Sequence, residues 1–192
     1  MKTLVIYAHP DTPAHCPWIL ECVERWLKAS KQGYELLDLY KMKYDPILHE
    51  DEHYTSGGRT VSPVNQRIQK KVAESSHFIF IYPIWWNSPP AILKGFLEKI
   101  VWPRFAFRFS KLGIPVKLLR GKKALLFTTS SSPALIFHTW FMAAGAWTVG
   151  RDALGFCGFK TRYCHFGNCK VLTEKRKMRM ERKVIRRLSR FF

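Results

Sequence analysis

Two tryptophans and an asparagine follow a long apolar run in the middle of the chain. Residues 78–82 read Phe-Ile-Phe-Ile-Tyr, Pro83 breaks the run, and Trp85, Trp86 and Asn87 precede two further prolines. Flat side chains on a stiff loop after a buried strand are typical of the edge at which open α/β sheets hold planar ligands. The alternative is that these rings pack into a core, which accounts less well for the polar asparagine.

The loop after the first apolar run contains groups suited to a phosphate. It extends from His9 to Pro17 and leads into a helical pattern, and the free N–H groups at the start of a helix attract anions. The side chains of His9, Thr12 and His15 add hydrogen-bonding groups, although each could also be an ordinary turn residue. The loop has neither the Gly-x-Gly-x-x-Gly pattern of nicotinamide-binding Rossmann domains nor a Walker lysine, so the sequence supports neither of those sites.

A run of five hydroxyl residues, from Thr128 to Ser132, follows another apolar run. Alone, such a run could simply cap the next helix. With the other two loops it completes a set in which one loop suits a phosphate, one an aromatic ring system and one a polar ring edge. This set matches the parts of a flavin.

Five strand-like runs alternate with helical patterns along the 192 residues. The strands are predicted at residues 4–8, 34–37, 78–82, 124–128 and, more weakly, 161–166, and the helices at residues 17–29, 63–73, 91–100, 134–146 and 174–190. Strands that are apolar throughout are buried on both faces. The order therefore predicts an α/β fold, namely a flavodoxin-like doubly wound five-stranded parallel sheet with strand order 2-1-3-4-5 and helices on both faces. We expect one domain over residues 1–192, because the chain is too short for two large cores.

The net charge of +18 comes entirely from the second half of the chain. Residues 1–98 carry 11 Lys/Arg and 11 Asp/Glu, whereas residues 99–192 carry 21 and 3. Such a basic half attracts phosphates, nucleic acid or anionic lipid without selecting among them.

Cysteine usage and the amino terminus suggest a cytoplasmic protein. Five cysteines without the spacing of a secreted framework predict free thiols in a reducing compartment, and the first residues show no export signal. The group Cys164, His165 and Cys169 lacks a further ligand at zinc spacing, so we expect no metal. No apolar run is long enough to cross a bilayer.

The chain resembles the flavodoxin-like NAD(P)H quinone oxidoreductases, the family that includes the DT-diaphorase-like enzymes and the ancillary flavoproteins of potassium-efflux systems. The resemblance covers most of residues 1–170. It rests on His9-Pro10, Pro83-Ile-Trp-Trp-Asn-Ser-x-Pro-Ala-Ile-Leu-Lys-Gly-Phe96, Phe105-Ala-Phe107, Gly121-Lys-Lys123 leading into Thr128-Thr129, and Leu154-Gly-Phe-Cys-Gly158.

The resemblance implies a homodimer with a flavin at each subunit interface, reduced by NAD(P)H before a hydride passes to a quinone or similar acceptor by a ping-pong route. It assigns the phosphate or ribityl end of the flavin to His9, His15, Cys16, Pro17 and Trp18. It assigns the isoalloxazine to Pro83, Ile84, Trp85, Trp86 and Asn87. It assigns the pyrimidine edge to Thr128, Thr129, Ser130 and Ser131. We also expect exposed aromatic rings at residues 102–109 to form part of the dimer contact.

The chain departs from the family in two places. Ala14-His15-Cys16 replaces the usual Ser-Phe-Asn, and Ile136 and Met142 stand where the diaphorase-like enzymes have a tyrosine and a histidine. His138 is the candidate substitute for a catalytic role. FMN is favoured over FAD because the first loop lacks a glycine fingerprint for a pyrophosphate, but FAD stays open because the long segment 39–61 could cover an adenosine.

Two other functions remain open. A regulatory flavin-binding subunit on a membrane transporter would account for the basic half and for segment 39–61. An anionic-surface or nucleic-acid binder would account for the ten Lys/Arg of residues 170–190, although the apolar stripe of Val184, Ile185 and Leu188 fits an ordinary packed helix. No nucleic-acid motif accompanies the charge, so we expect no specific nucleic-acid partner; peripheral contact with an anionic membrane or a transporter stays open.

Overall fold

The computed structural model describes residues 2–10, 14–53 and 60–192. Its strands are β1 (Thr3–Tyr7), β2 (Tyr34–Asp38), β3 (His77–Pro83), β4 (Phe107–Phe109), β5 (Pro115–Lys117), β6 (Lys123–Thr129) and β7 (Lys160–Phe166). Its α-helices are α1 (His15–Ala29), α2 (Pro63–Glu74), α3 (Ala91–Ile100), α4 (Ala134–His138), α5 (Ala144–Trp147) and α6 (Glu174–Ser189), with a 3-10 turn at Glu50–Glu52 and a π-helix at Thr148–Gly155.

Five strands form a parallel sheet in the order β2-β1-β3-β6-β7. Counted within the sheet alone, this is the order 2-1-3-4-5, which confirms the predicted fold. The two remaining strands, β4 and β5, form a separate antiparallel hairpin that the sequence reading did not predict.

Helices cover both faces of the sheet, which explains why its three central strands, β1, β3 and β6, are buried at almost every position. Phe78 and Phe80 of β3 pack with α2, α3 and the π-helix, whereas Ile79 and Ile81 of the same strand pack with α1 and α6. Each such side chain contributes about 1.5–3 kcal/mol when it is fully buried. The alternating directions of one strand therefore hold two helical layers in place.

The helix predicted at residues 134–146 is wrong as a continuous element. It is divided into α4 and α5 because Met142 and Ala143 have left-handed backbone angles, with φ of 47° and 53°, which no α-helix accommodates. The Ala143 N–H donates instead to the carbonyl oxygen of Phe137 at 2.8 Å. The turn buries Phe137, Ala143 and Ala146 together, so a tertiary cluster overrides the helical pattern.

No helix among the described ranges is long and apolar enough to cross a membrane. Within the same ranges no group of three His, Cys, Asp or Glu side chains is arranged to hold a metal ion, and all five cysteines are free thiols.

Candidate functional site

The loops after β1, β3 and β6 meet at the carboxyl edge of the sheet. The Ala8 N–H donates to the Ile81 carbonyl oxygen at 3.0 Å, and the Ile84 N–H donates to the Thr129 carbonyl oxygen at 2.7 Å. The rings of His9 and Trp85 lie 6.3 Å apart. The three loops singled out from the sequence therefore form one continuous surface.

The tryptophan loop is a tight two-residue turn that displays its aromatic side chains. Trp85 and Ser88 exchange two backbone hydrogen bonds, at 3.0 and 2.9 Å, and both residues between them have positive φ, 50° for Trp86 and 57° for Asn87. This is the pattern of a type I′ turn, which glycine and asparagine usually occupy. Trp86 is fully exposed at 101%, and Trp85 is 42% exposed, so neither ring belongs to the core.

The side chain of Asn87 connects this turn to the segment between α4 and α5. Its Nδ2 donates to the Phe141 carbonyl oxygen at 3.2 Å, whereas its Oδ1 is buried with no hydrogen-bond partner in the described parts of the chain. Gly145 packs so closely behind the turn that a Cβ there would lie 2.7 Å from Ile84 Cδ1. Since buried acceptors are nearly always paired, the unpaired Oδ1 is an unusual feature of this turn.

The first turn of α1 combines N–H groups that have no intrahelical partner with a buried imidazole. His15 is 7% exposed, and its Nε2 lacks a hydrogen-bond partner in the residues described. Burial, with a smaller contribution from the Arg176 charge, lowers the pKa of His15. Pro17 has no N–H to offer, and Asp11, Thr12 and Pro13 of the predicted phosphate loop lie outside the described residues.

Cys16 and Trp18 are both engaged within the protein. Cys16 Sγ lies 3.3 Å from Thr129 Oγ1, and burial raises the pKa of this thiol to about 12, so it remains protonated. Trp18 turns toward α6, where its indole N–H donates to the Lys177 carbonyl oxygen at 3.1 Å. The ring of Trp18 is thus directed to helix packing, whereas Cys16 connects α1 to the hydroxyl run.

The buried His165, which the sequence analysis considered only as a metal ligand, organises the hydroxyl run. His165 Nδ1 lies 2.9 Å from Thr128 Oγ1, and its Nε2 lies 3.0 Å from Ser130 Oγ. The imidazole also stacks on Phe137 with ring centroids 3.7 Å apart. Burial, with smaller contributions from His138 and Lys183, lowers its pKa to about 3, so His165 is neutral and fixes both hydroxyl groups. Ser131 is exposed beside them.

His138 ends α4 at the surface and faces Tyr163, a residue that the sequence analysis missed. The Tyr163 hydroxyl group lies 3.4 Å from His138 Nδ1, and the ring of His138 is 5.9 Å from that of His165. Tyr163 and His165 stand two residues apart on β7 and so project to the same side of the sheet. This spacing at the end of a strand is the sequence signal that could have identified both residues. It went unused because the final strand was predicted only weakly.

Two cavities lined by acidic residues have volumes of about 440 and 520 Å³. The larger one extends beyond the three loops and lies between α1 and the ends of β1 and β2. Its lining includes His9 and Pro17 from the candidate phosphate loop, the carboxylates of Glu21, Glu24 and Asp38, and Lys41, whose Nζ lies 3.6 Å from Asp38 Oδ2. These carboxylates repel a phosphate group there and can accept hydrogen bonds from hydroxyl or amine groups.

Exposed apolar side chains surround the carboxyl edge beyond the tryptophan turn. They include Leu135 at 74%, Trp140 at 82% and Met142 at 69% exposure. The expectation of exposed rings at residues 102–109 is largely wrong, because Phe105 and Phe107 pack against the core and Phe109 is the aromatic residue of that segment that is exposed. The large apolar side chains with the highest exposure near this edge lie on the segment 135–142 instead.

Comparison with known proteins gives a consistent result. A family profile described as flavodoxin-like fold matches residues 1–186. Human ribosyldihydronicotinamide dehydrogenase (quinone) is 29% identical over 180 residues, spanning 83% of this chain and 78% of that protein. A solved protein from Streptococcus mutans UA159 superposes with a TM-score of 0.85 at 27% identity over 97% of each chain. An FMN-dependent NADH-azoreductase from Bacillus anthracis, solved in complex with FMN, has a TM-score of 0.70 at 18% identity over 98% of each chain and shares the fold.

Proposed function

The chain belongs to the flavodoxin-like fold family, and on that premise we propose that it is a flavin-dependent NAD(P)H oxidoreductase that reduces a quinone or a similar two-electron acceptor. The observation that carries this proposal is the meeting of the three loops at one edge of the sheet. The name of the human relative, a quinone dehydrogenase, supports the same reaction class.

The groups at the edge fit the parts of a flavin. The unpaired Oδ1 of Asn87 is an acceptor for a ring N–H, and the exposed rings of Trp85 and Trp86 offer stacking area. The exposed Ser131 provides a hydroxyl group for the pyrimidine edge, and residues 128–131 provide backbone groups, because the other three hydroxyl groups are bonded within the protein. Pro83 and Ile84 would lie beside that edge. The phosphate or ribityl end is assigned to His9 and to the start of α1, where the buried His15 lies. In this proposal Cys16, Pro17 and Trp18 contribute backbone and shape rather than side-chain bonds.

A bound flavin would supply the hydride chemistry, taking a hydride from NAD(P)H and passing it to the acceptor. The protein then has to orient the ring and provide the proton that accompanies the hydride. His138 is the candidate proton donor to the acceptor oxygen, and the Tyr163 hydroxyl group positions its imidazole. The neutral His165 holds the hydroxyl groups of Thr128 and Ser130 in place and takes no part in proton transfer.

FMN is the proposed flavin, and FAD is the alternative. The Bacillus anthracis azoreductase of the same fold was solved with FMN. In this chain, a second phosphate beyond the start of α1 would approach the carboxylates of Glu21, Glu24 and Asp38. That repulsion favours a cofactor that ends at a single phosphate.

The exposed apolar patch supports a homodimer in which a second copy covers Leu135, Trp140 and Met142. We further propose that residues 1–192 act as a single cytoplasmic domain. Peripheral contact with an anionic membrane or a transporter through the basic C-terminal half is part of the same proposal.

The first experiment is a visible spectrum of the purified protein, followed by heat release and chromatography of its cofactor. Flavin bands with FMN as the main species are expected. The double variant Trp85→Ala, Trp86→Ala should lose flavin while staying folded, because both rings are exposed. Trp26→Phe, at the far end of α1, is the control and should retain it. A colourless protein that also fails to take up added FMN or FAD would contradict the proposal, and FAD as the main species would correct the choice of flavin.

The proton donor is tested separately. His138→Gln should lower kcat with a quinone about tenfold or more while flavin occupancy stays unchanged. Unchanged kcat across the pH range would remove His138 from the mechanism without affecting the assignment of the flavin site.

A further inference from the structure

Helix α6 presents a solvent-exposed side that the candidate site does not use. Its inner side buries Met180, Val184 and Leu188 against the sheet. The outer face of α6 is formed by the exposed residues Lys175, Met178, Arg179, Arg182, Ile185 and Arg186.

The positive charge of this outer face is not neutralised by the protein. No ion pair forms at Lys175, Arg179, Arg182 or Arg186 within the described ranges. The two carboxylates of the helix are already engaged, since Glu181 pairs with Arg25 at 2.9 Å and Glu174 pairs with Lys177 at 2.8 Å.

The cations on the inner flanks of α6 have structural roles, in contrast to those of the outer face. Lys183 Nζ donates to the His165 carbonyl oxygen at 2.9 Å, and Arg176 donates to the Gly167 carbonyl oxygen. Folding therefore accounts for the inner cations and leaves four outer cations, over about three helical turns, without an ion-pair partner in the described parts of the chain.

Two apolar side chains stand among these outer cations. Met178 is 56% exposed and Ile185 is 40% exposed, and their separation of seven residues places them on the same side of the helix. Apolar side chains flanked by arginine and lysine on one helix face are typical of helices that lie in a lipid headgroup region.

Resting on the peripheral membrane contact proposed above, we propose that the outer face of α6 docks the protein on an anionic phospholipid bilayer, with its cations at the headgroups and with Met178 and Ile185 in the acyl boundary. Nucleic acid is the weaker occupant because phosphate-backbone binding has no use for the two exposed apolar side chains. The face lies on the side of the sheet covered by α1 and α6, whereas the segment from α5 to the π-helix packs on the opposite side. A bilayer along α6 would thus leave the opposite side of the molecule free.

The test uses the intact protein with vesicles of phosphatidylcholine alone and vesicles that also contain phosphatidylserine. Wild type should sediment with the anionic vesicles and not with the neutral ones. Each cation near an anionic surface changes affinity about fivefold, so the triple variant Arg179→Gln, Arg182→Gln, Arg186→Gln should bind about 100-fold more weakly. The charge-matched control is Arg67→Gln, Lys70→Gln, Arg108→Gln, whose positions are exposed and lie on α2 and β4, which pack on the opposite side of the sheet from α6.

A second variant separates the bilayer from other polyanions. Met178→Gln, Ile185→Gln keeps every charge and should weaken vesicle binding about tenfold, because two partly buried apolar contacts are lost. Its binding to duplex DNA should match wild type.

Three results would overturn the proposal. The first is equal vesicle binding by wild type and the α6 triple variant. The second is an equal loss in the control triple variant, which would reduce the effect to net charge. The third is no effect of the apolar variant on vesicles combined with tight, Arg179-dependent DNA binding, which would assign the face to nucleic acid. Unchanged thermal unfolding of each variant makes these comparisons valid, since all the substituted side chains are exposed.

Discussion

Replacement of His165 by glutamine should change how the stability of the protein depends on pH. Burial holds the pKa of this imidazole at about 3 in the folded protein, against 6.5 for an unperturbed histidine. Below about pH 6.5 the unfolded chain therefore binds a proton at this position that the folded chain does not bind. By linkage, His165 makes the free energy of unfolding fall as the pH decreases from about 6.5 toward 3.

The size of the effect follows from the pKa difference. One pH unit corresponds to about 1.4 kcal/mol, so the wild type should lose about 2 kcal/mol through His165 between pH 7 and pH 5. His165→Gln lacks this proton. At pH 7 the variant should be less stable by about 2–3 kcal/mol, because it loses the stacking on Phe137 and disturbs the bonds to Thr128 and Ser130. At pH 5 the difference between the two proteins should have shrunk by about 2 kcal/mol.

The assay is urea unfolding of both proteins at the two pH values. Carboxylates and the other histidines titrate in both proteins, so their contributions cancel when the variant is subtracted from the wild type. If the two stabilities fall in parallel, the folded protein protonates His165 as readily as the unfolded chain does, and the buried neutral imidazole described above does not exist.

Three further outcomes are expected. The free energy of unfolding in urea should be about 1 kcal/mol higher for Trp86→Gly than for Trp86→Ala, because glycine alone relieves the positive φ of 50° at that position. Equal free energies would mean that the turn is not left-handed in solution. Gly95→Ala should destabilise the protein by about 3 kcal/mol, since its Cβ would lie 2.1 Å from the Pro46 carbonyl oxygen, and a thermal shift near zero would refute that contact. Sedimentation should give about twice the 22.5 kDa of one chain, with Trp140→Asp shifting it toward monomer, whereas a monomeric wild type would refute the apolar dimer contact.

The sheet could be predicted from the sequence because its strands are buried on both faces. A strand such as β3 is apolar from Phe78 to Ile81 and buried at every position. Such continuous apolar runs, separated by helical stretches, have few solutions other than a parallel doubly wound sheet. In such a sheet the loops that follow neighbouring strands meet at the carboxyl edge. The sequence alone therefore predicts that the loops at Trp85 and Thr128 lie together.

The parts that could not be predicted depend on contacts between distant residues. The division of the 134–146 segment into two helices arises from the cluster of Phe137, Ala143 and Ala146. The local spacing of apolar residues in that segment does not predict this division. His165 meets Thr128 because their strands lie side by side in register, a fact that exists only once the sheet is assembled. The family resemblance assigns Trp18 to the cofactor, and its indole N–H donates to the Lys177 carbonyl oxygen of α6, a contact that depends on how α1 packs against a helix more than 150 residues away in the sequence.

The hydrogen bonds that join the three loops also affect how this edge can open. Thr129 accepts from the Ile84 N–H through its carbonyl oxygen and meets Cys16 through its side chain, while the Ser130 N–H donates to the Phe166 carbonyl oxygen. Exposure of either N–H to solvent requires the separation of neighbouring elements rather than the movement of one loop. Hydrogen exchange at Ile84 and Ser130 should therefore be slow in the ligand-free protein, and a planar ligand would meet an edge that has already lost most of its conformational freedom. The affinity of this edge then depends on bonds made within the protein as much as on those made to the ligand.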